Sequence, residues 1–252
     1  MIVIVVSLKR EIGPYIDRHQ FRPIYKSGGV EFLGTNSKPS LIVATSGIGK
    51  YCSMLATKLA IRKFSPDLII SAGFAGGVQS GYKTGDIVYC NQMLSSESPD
   101  FTKIHSLRYK MSNPITNEAG HGCLTVNKVI HDRIIKRTIG NNFPVTVIDM
   151  EGFWVAEIAD SDQIPIQIVR AIYDSVEDSL PKNVAALVQS SNSGWYPVLR
   201  EVAKRPLIIP HLFKLYEKSG IASKALSESL EKLVNDSARK LFNETSLNHA
   251  NT

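Results

Sequence analysis

The sequence predicts an α/β fold, with three layers (α/β/α) around a central twisted, mixed β-sheet and a helical C-terminal extension. Two observations carry this. Short apolar, β-branched runs recur as far as Asp174, and helical apolar spacing fills intervals between them. After Asp174 the character changes, and from Trp195 onward the pattern is helical to the end.

Met1 to Val6 has no polar alternation and reads as a first strand buried on both faces. It reads less well as a signal peptide, because no basic residues precede the apolar run and Lys9, Arg10 and Glu11 cut it short. Val30 to Gly34 and Leu41 to Thr45 are the next strands. Tyr51 to Phe64 then places Met54, Leu55, Leu59, Ala60 and Ile61 at helical spacing. Pro66 and Asp67 turn the chain into a strand at Leu68 to Ser71, and Asp86 to Cys90 forms another. Residues 100–122 are polar and without period, which predicts a long surface loop of the kind that edges a site. Val145 to Asp149 is a strand, Glu151 to Ala159 a helix stopped by Asp160, Ser161 and Asp162, and Ile164 to Ile172 a further strand. These last two strands read as neighbours, each ending in a carboxylate.

Residues 1–192 are expected to form the main domain. Residues 193–252 form a helical extension packed on it, after a Ser/Asn/Gly hinge at Gln189 to Gly194 and with breaks at Arg205-Pro206 and Ser219-Gly220. Hydrophobic content of 43%, charged content of 21% and a net charge of +6 are ordinary for a soluble protein, and no basic stretch is interleaved with aromatics as a nucleic-acid track would be. Cys52, Cys90 and Cys123 are scattered, against both a disulfide framework and a zinc site and in favour of a reducing, cytoplasmic setting. No apolar run reaches the length of a membrane span.

Ligands of open α/β sheets collect outside the carboxyl ends of strands, and buried acids are costly to keep without a role. Glu151 and Asp174 therefore stand out, in Asp149-Met150-Glu151-Gly152 and Arg170-Ala171-Ile172-Tyr173-Asp174. Thr45-Ser46-Gly47-Ile48-Gly49-Lys50 follows a strand and opens a helix. It fails the phosphate-loop pattern at Ala44 and Tyr51, so it reads as a tight turn offering amides to a ligand. Gly73-Phe74-Ala75-Gly76-Gly77 could let a flat ligand lie against the backbone, or be a plain glycine-rich turn. It lacks the dinucleotide spacing. Glu11 alone reads as a solvated residue in a helix's first turn, and Met150 as core packing. Of the histidines only His121, between Gly120 and Gly122, invites attention.

Taken together and in this order, these segments, with Gly85-Asp86-Ile87-Val88, resemble the nucleoside phosphorylase and nucleosidase superfamily, over roughly the first three-quarters of the chain. Within it the chain looks most like the methylthioadenosine/S-adenosylhomocysteine nucleosidases. The resemblance implies hydrolysis of an N-glycosidic bond, with Asp174 at the purine N7 and Glu11 activating water. Glu151 and Met150 would hold the ribose, and Gly47, Ile48, Phe74, Ala75, Gly76, Arg170 and Tyr173 would complete the substrate contacts. It implies no metal or other cofactor, a purine nucleoside as small-molecule partner, and a homo-oligomer. Phosphorolysis is the alternative. It is disfavoured by Glu11, whose charge would oppose phosphate, but kept open by Arg10. A non-catalytic nucleoside binder of the same fold is the other.

Two residues depart from the family pattern. Tyr173 stands where the family has Ser, and Phe74 where it has a small residue, so a reshaped base pocket and a substrate other than plain methylthioadenosine are expected. Segments Asp174 to Pro181, Val198 to Pro206 and Leu212 to Tyr216 resemble the hopanoid-associated nucleosidases, which implies a lipid-linked adenosine, adenosylhopane. The mixture of Leu, Ile, Phe and Trp with basic residues in Trp195 to Tyr216 fits peripheral membrane contact, or a helical hairpin packed on the sheet.

Overall fold

The computed structural model describes residues 1–36, 38, 40–98, 101–108, 121–178 and 209–250. Every side chain of strand β1 (Ile2–Val6) is buried, because both faces are covered. It lies parallel to and between β4 (Leu41–Thr45) and β5 (Leu68–Gly77). Val3 and Val5 pack with helices α2 (Lys50–Phe64) and α4 (Gly152–Ser161), through residues such as Ala56, Ala60 and Phe153. Ile2, Ile4 and Val6 face the other way, against Tyr15 of α1 (Gly13–Arg18) and Leu226, Leu230 and Val234 of α5 (Ile209–Ala250). The alternation of one strand thus joins the two outer layers. No helix among the described residues is long and apolar enough to cross a membrane.

Among the described residues the sheet has ten strands and is mixed. On one side of β1 it continues through β4 and β3 (Val30–Gly34) to the exposed edge strand β2 (Arg22–Ser27), antiparallel at its last two steps. On the other side it curls. Strands β5, β10 (Ile166–Asp174), β6 (Ile87–Ser96), β8 (His121–Val126) and β9 (Val147–Asp149) pair in a closed ring. Helix α3 (Arg133–Asn142) packs on it through Ile139. The strands that end in Asp149 and Asp174 are therefore not neighbours as expected, because β5 runs between them. They are brought together from its two sides.

Three further expectations change. The predicted loop at 100–122 carries strand β7 (His105–Arg108), antiparallel to β6, and its end opens β8; residues 109–120 lie outside those described. Strands β5, β6 and β10 extend beyond their predicted ends, as far as Gly77, Ser96 and Asp174. The hinge at Gln189 to Gly194 and the helical segment from Trp195 to residue 208 also fall outside the described residues. Within α5, Ala222, Leu226, Leu230 and Leu233 are buried against the core shared with β1. Tyr216 is exposed.

Candidate active site

The site grows from a fork in the sheet. Strand β5 pairs with β1 along Leu68–Ala72 and with β9 only at Gly76 and Gly77, while β10 holds its other edge from Ile69 to Gly76. Among the described residues, Gly73, Phe74 and Ala75 have no strand partner on the forked side. A carboxylate fills the gap. Glu11 sits in the 3₁₀ turn Lys9–Ile12 that follows β1, and its Oε1 accepts from the Phe74 amide at 3.0 Å while Oε2 accepts from the Leu8 amide at 2.8 Å. It is only 7% exposed, so it is not the solvated residue its sequence position suggested. Burial pushes its carboxyl above the ordinary range, opposed by those two amides and by the charges of Arg170 and Arg10.

Beside the fork lies a small cavity lined by Ser7, Ser46, Ser71, Gly73, Glu151 and Arg170, among others. Glu151 reaches it from the junction of β9 and α4. Its Oε1 accepts from the Gly49 amide at 2.7 Å, at the start of α2 where Gly49 takes φ +92°, a left-handed conformation suited to glycine. Burial first, then the negative charges of Asp149 and Glu11, push the Glu151 carboxyl up to about 8. The turn before α2 is less open to a ligand than expected. The Ser46 amide donates to Val6 O and the Gly47 amide to Ser7 O, so both already tie β4 to β1. Ile48 follows in the same turn and Met150 adjoins Glu151, partly buried like it.

Arg170 forms the floor of the cavity. Its Nε and Nη2 both lie 2.8 Å from Asp149 Oδ2, and its other donors reach Ser71 O at 2.9 Å and Ser71 Oγ at 3.0 Å. Expected as a substrate contact, it has most of its donors engaged within the protein. Asp149 in turn takes the Thr125 hydroxyl at 2.5 Å and the Gly152 amide at 2.8 Å. A Cβ on Gly152 would stand 2.4 Å from Met93 Cε and 2.5 Å from Asp149 Oδ2, so this close approach requires glycine.

Asp174 lies further along, at the end of β10 opposite Gly76, and outside the lining of this cavity. Its Oδ1 is 3.3 Å from where a Gly76 Cβ would project. Its Oδ2 forms an ion pair with Lys136 of α3, a lysine with no exposed surface that also donates to Ser175 O at 3.1 Å. Burial raises the Asp174 carboxyl and the Lys136 charge opposes the rise. Nothing in the sequence marked Lys136. Between Glu11 and Asp174, Phe74 stacks on Tyr173 with ring centroids 5.6 Å apart and planes 20° from parallel, and the Tyr173 hydroxyl donates to Leu215 O of α5 at 3.0 Å. Ala75 is buried on the opposite face of β5 from this wall, in the core cluster that holds Phe153. His121 is not in the cavity lining; its Nδ1 meets Thr146 Oγ1 at 3.0 Å.

The sequence model of the phosphorylase superfamily matches residues 1–129. A 5′-methylthioadenosine/S-adenosylhomocysteine nucleosidase of Shewanella pealeana is 25% identical over 201 residues, covering 71% of this chain and 87% of its own length. The enzyme of that name from Shewanella loihica is 27% identical over 176 residues, covering 61% and 76%. Among solved structures, Arabidopsis thaliana 5′-methylthioadenosine nucleosidase superposes with a TM-score of 0.68 at 20% identity, covering 93% of this chain and 94% of its own. Futalosine hydrolase of Helicobacter pylori does so with a TM-score of 0.62 at 19% identity, covering 92% and 97%. The three-layer fold with its partly closed mixed sheet is thus shared with known nucleosidases, and the chain belongs to the phosphorylase superfamily.

Proposed function

We propose that the chain is a purine nucleosidase that hydrolyses the N-glycosidic bond of a 5′-modified adenosine and releases adenine. The observation that carries this reading is Glu11, a buried carboxylate at the fork of β5, held by two backbone amides and with Glu151 as its electrostatic neighbour. The Glu11 carboxylate suits a sugar that gains positive charge as the bond breaks, and it opposes a phosphate dianion.

In the step proposed, the oxygen of a water attacks the anomeric carbon and gives a proton to Glu11. The bond to the purine breaks with its electron pair going to the base, and the base takes a proton at N7 from Asp174. Glu151, with its carboxyl pushed up to about 8, keeps a proton at neutral pH, so it can both donate to and accept from a ribose hydroxyl. Met150 packs beside the sugar. Gly47, Ile48, Phe74, Ala75, Gly76 and Tyr173 line the path of the substrate, and Arg170 sets the floor.

The favoured substrate is adenosylhopane. The Phe74 and Tyr173 rings, tied to α5 through Leu215, make an apolar wall next to the acids, a chemistry suited to a large apolar 5′ group. The enzyme acts as a homo-oligomer in the cytoplasm, at the membrane surface where such a lipid resides.

The test is adenine release from a panel of adenosines carrying 5′-deoxy, 5′-methylthio and long 5′-alkyl groups, with and without phosphate. Turnover without phosphate, best on the long 5′-alkyl nucleosides, is expected. Strict phosphate dependence with ribose 1-phosphate as product would establish the phosphorylase instead. Adenine binding without release from any nucleoside would leave a binding protein.

A further inference from the structure

Helix α3 buries a lysine beside an isoleucine. Ile134 is 74% exposed and Ile135 42%, while Lys136 has no exposed surface and Ile139 is 1% exposed. An ammonium taken out of water is costly unless it is paired, so a lysine on the buried face of a helix, with isoleucines left outside, breaks the usual pattern. A local rule broken in this way marks a functional constraint. The buried ammonium is aimed at the Asp174 carboxylate, and its second acceptor is the carbonyl of the next residue, Ser175.

We propose that Lys136 is a positioning residue for the departing base: it fixes the Asp174 carboxyl with Oδ2 engaged and Oδ1 toward Gly76, and it makes the ammonium–carboxyl pair, rather than an isolated carboxyl, the source of the base's proton. The inference rests on the reading of Asp174 given above. The transfer balances. The one proton of the pair passes from Lys136 Nζ to Asp174 and from Asp174 to N7 of the purine as the glycosidic electron pair moves onto the base. The pair is left as a neutral amine beside a carboxylate, and it regains its proton from solvent through Asp174, whose side chain is 11% exposed, before the next turnover.

Other charges face the pair, and none substitutes for Lys136. Asp178 is a further carboxylate whose charge acts on Asp174. It accepts from the Ser175 amide at 2.8 Å and from Lys218 of α5 at 2.6 Å, so it is occupied on both sides. Arg137 lies on the outer side of α3 and pairs with Glu177 at 2.6 Å, with Arg133 near that carboxylate. Tyr173 stands beside Asp174, and Arg10 faces Tyr173 from the turn after β1.

The two descriptions of the acid predict opposite pH behaviour. If neutral Asp174 alone is the active form, Lys136 lowers the pH at which activity falls, and removing it moves the basic limb of the kcat profile upward. If the singly protonated pair is active, the limb reports loss of the proton from the pair as a whole, and removing Lys136 moves it downward.

The experiment compares wild type, Lys136→Gln, Lys136→Arg and Asp174→Asn, on the panel nucleoside with the highest kcat/KM, across the pH range in which the protein stays folded. Lys136→Gln is expected to lower kcat about tenfold or more, leave KM within about threefold, and move the basic limb to lower pH. Lys136→Arg, which keeps the charge, is expected to return the limb toward its wild-type position. Unchanged kcat and limb in Lys136→Gln, or a limb moved upward, overturns the proposal. Should Lys136→Gln not fold, Lys136→Met/Asp174→Asn buries no unpaired charge and is compared with Asp174→Asn. Equal kcat supports action through Asp174, and a further loss overturns it. A wild-type rate in Asp174→Asn sinks the underlying role of Asp174. A slow Asp174→Asn beside an unaffected Lys136→Gln sinks the lysine alone.

Discussion

Substituting Arg170 by methionine separates a floor from a substrate contact. The guanidinium is 2% exposed, and its partner Asp149 has a side chain 1% exposed. Methionine fills much of the same volume, so cavity formation contributes little. The main cost is electrostatic. Asp149 would remain buried with the Thr125 hydroxyl and the Gly152 amide as donors but without its opposing charge. Breaking a buried pair from one side costs about 3–5 kcal/mol. At about 4 kcal/mol the melting temperature should fall by roughly 8–16 °C for a chain of this size. Urea denaturation followed by circular dichroism measures the loss. In Asp149→Asn/Arg170→Met the uncompensated charge is gone, so the double variant should be more stable than the two single losses sum to, by about 2–3 kcal/mol. An Arg170→Met protein within about 1 kcal/mol of wild type, or a strictly additive double variant, refutes the account. A stable Arg170→Met protein with a raised KM would put the guanidinium on the substrate instead.

Two further substitutions probe the walls of the site. Glu11→Gln keeps the shape but offers one carbonyl oxygen to two backbone amides, so either the Leu8 or the Phe74 amide meets an NH2 group. Stability should fall by about 1–3 kcal/mol, and adenine release should fall about 100-fold or more; release at the wild-type rate would remove Glu11 from the chemistry. Tyr173→Ser breaks the stack on Phe74 and the bond to Leu215 O. It should shift kcat/KM toward the 5′-methylthio nucleoside, relative to a long 5′-alkyl one, by about tenfold. An unchanged ratio in competition assays would take this wall out of substrate selection.

The sequence showed the strands whose two faces are both covered, because nothing but packing chooses their residues. Met1 to Val6 and Leu41 to Thr45 read as strands for that reason, and the burial of every residue from Ile2 to Val6 explains it. Edge strand β2 was illegible. Its side chains are exposed except for a half-buried Ser27, and Pro23 interrupts the pattern. Strand β8 hides behind a polar stretch, and α3 places apolar Ile134 and Ile135 side by side and outward, which erases the helical period. Its one start signal, Asp132 accepting from the Ile134 amide at 2.7 Å, is the kind a sequence does display. The closure of β5, β10, β6, β8 and β9 into a ring had no local signature at all. It is a property of pairing, and pairing partners are chosen by the whole sheet.

The acids differ in legibility with the place each takes in the fold. Glu151 and Asp174 stand at strand ends, where a sequence pattern points. Glu11 stands in a turn, where position alone makes it look solvated, and its burial follows from a gap in β-pairing some sixty residues away, at Phe74. Each carboxyl is pushed up by the same cause, loss of water, yet each is opposed differently: Glu11 chiefly by two backbone amides, Asp174 chiefly by a lysine. Glu151 is opposed by one amide and further raised by its acidic neighbours. Amides leave a carboxylate able to accept a proton, whereas an ammonium can supply one, and a carboxyl that stays protonated suits neutral hydroxyls. The proposed division into base, acid and ribose grip therefore rests on what surrounds each acid rather than on its residue type. Exchanging the surroundings, as the lysine variants do at Asp174, should change the role while the carboxylate stays in place.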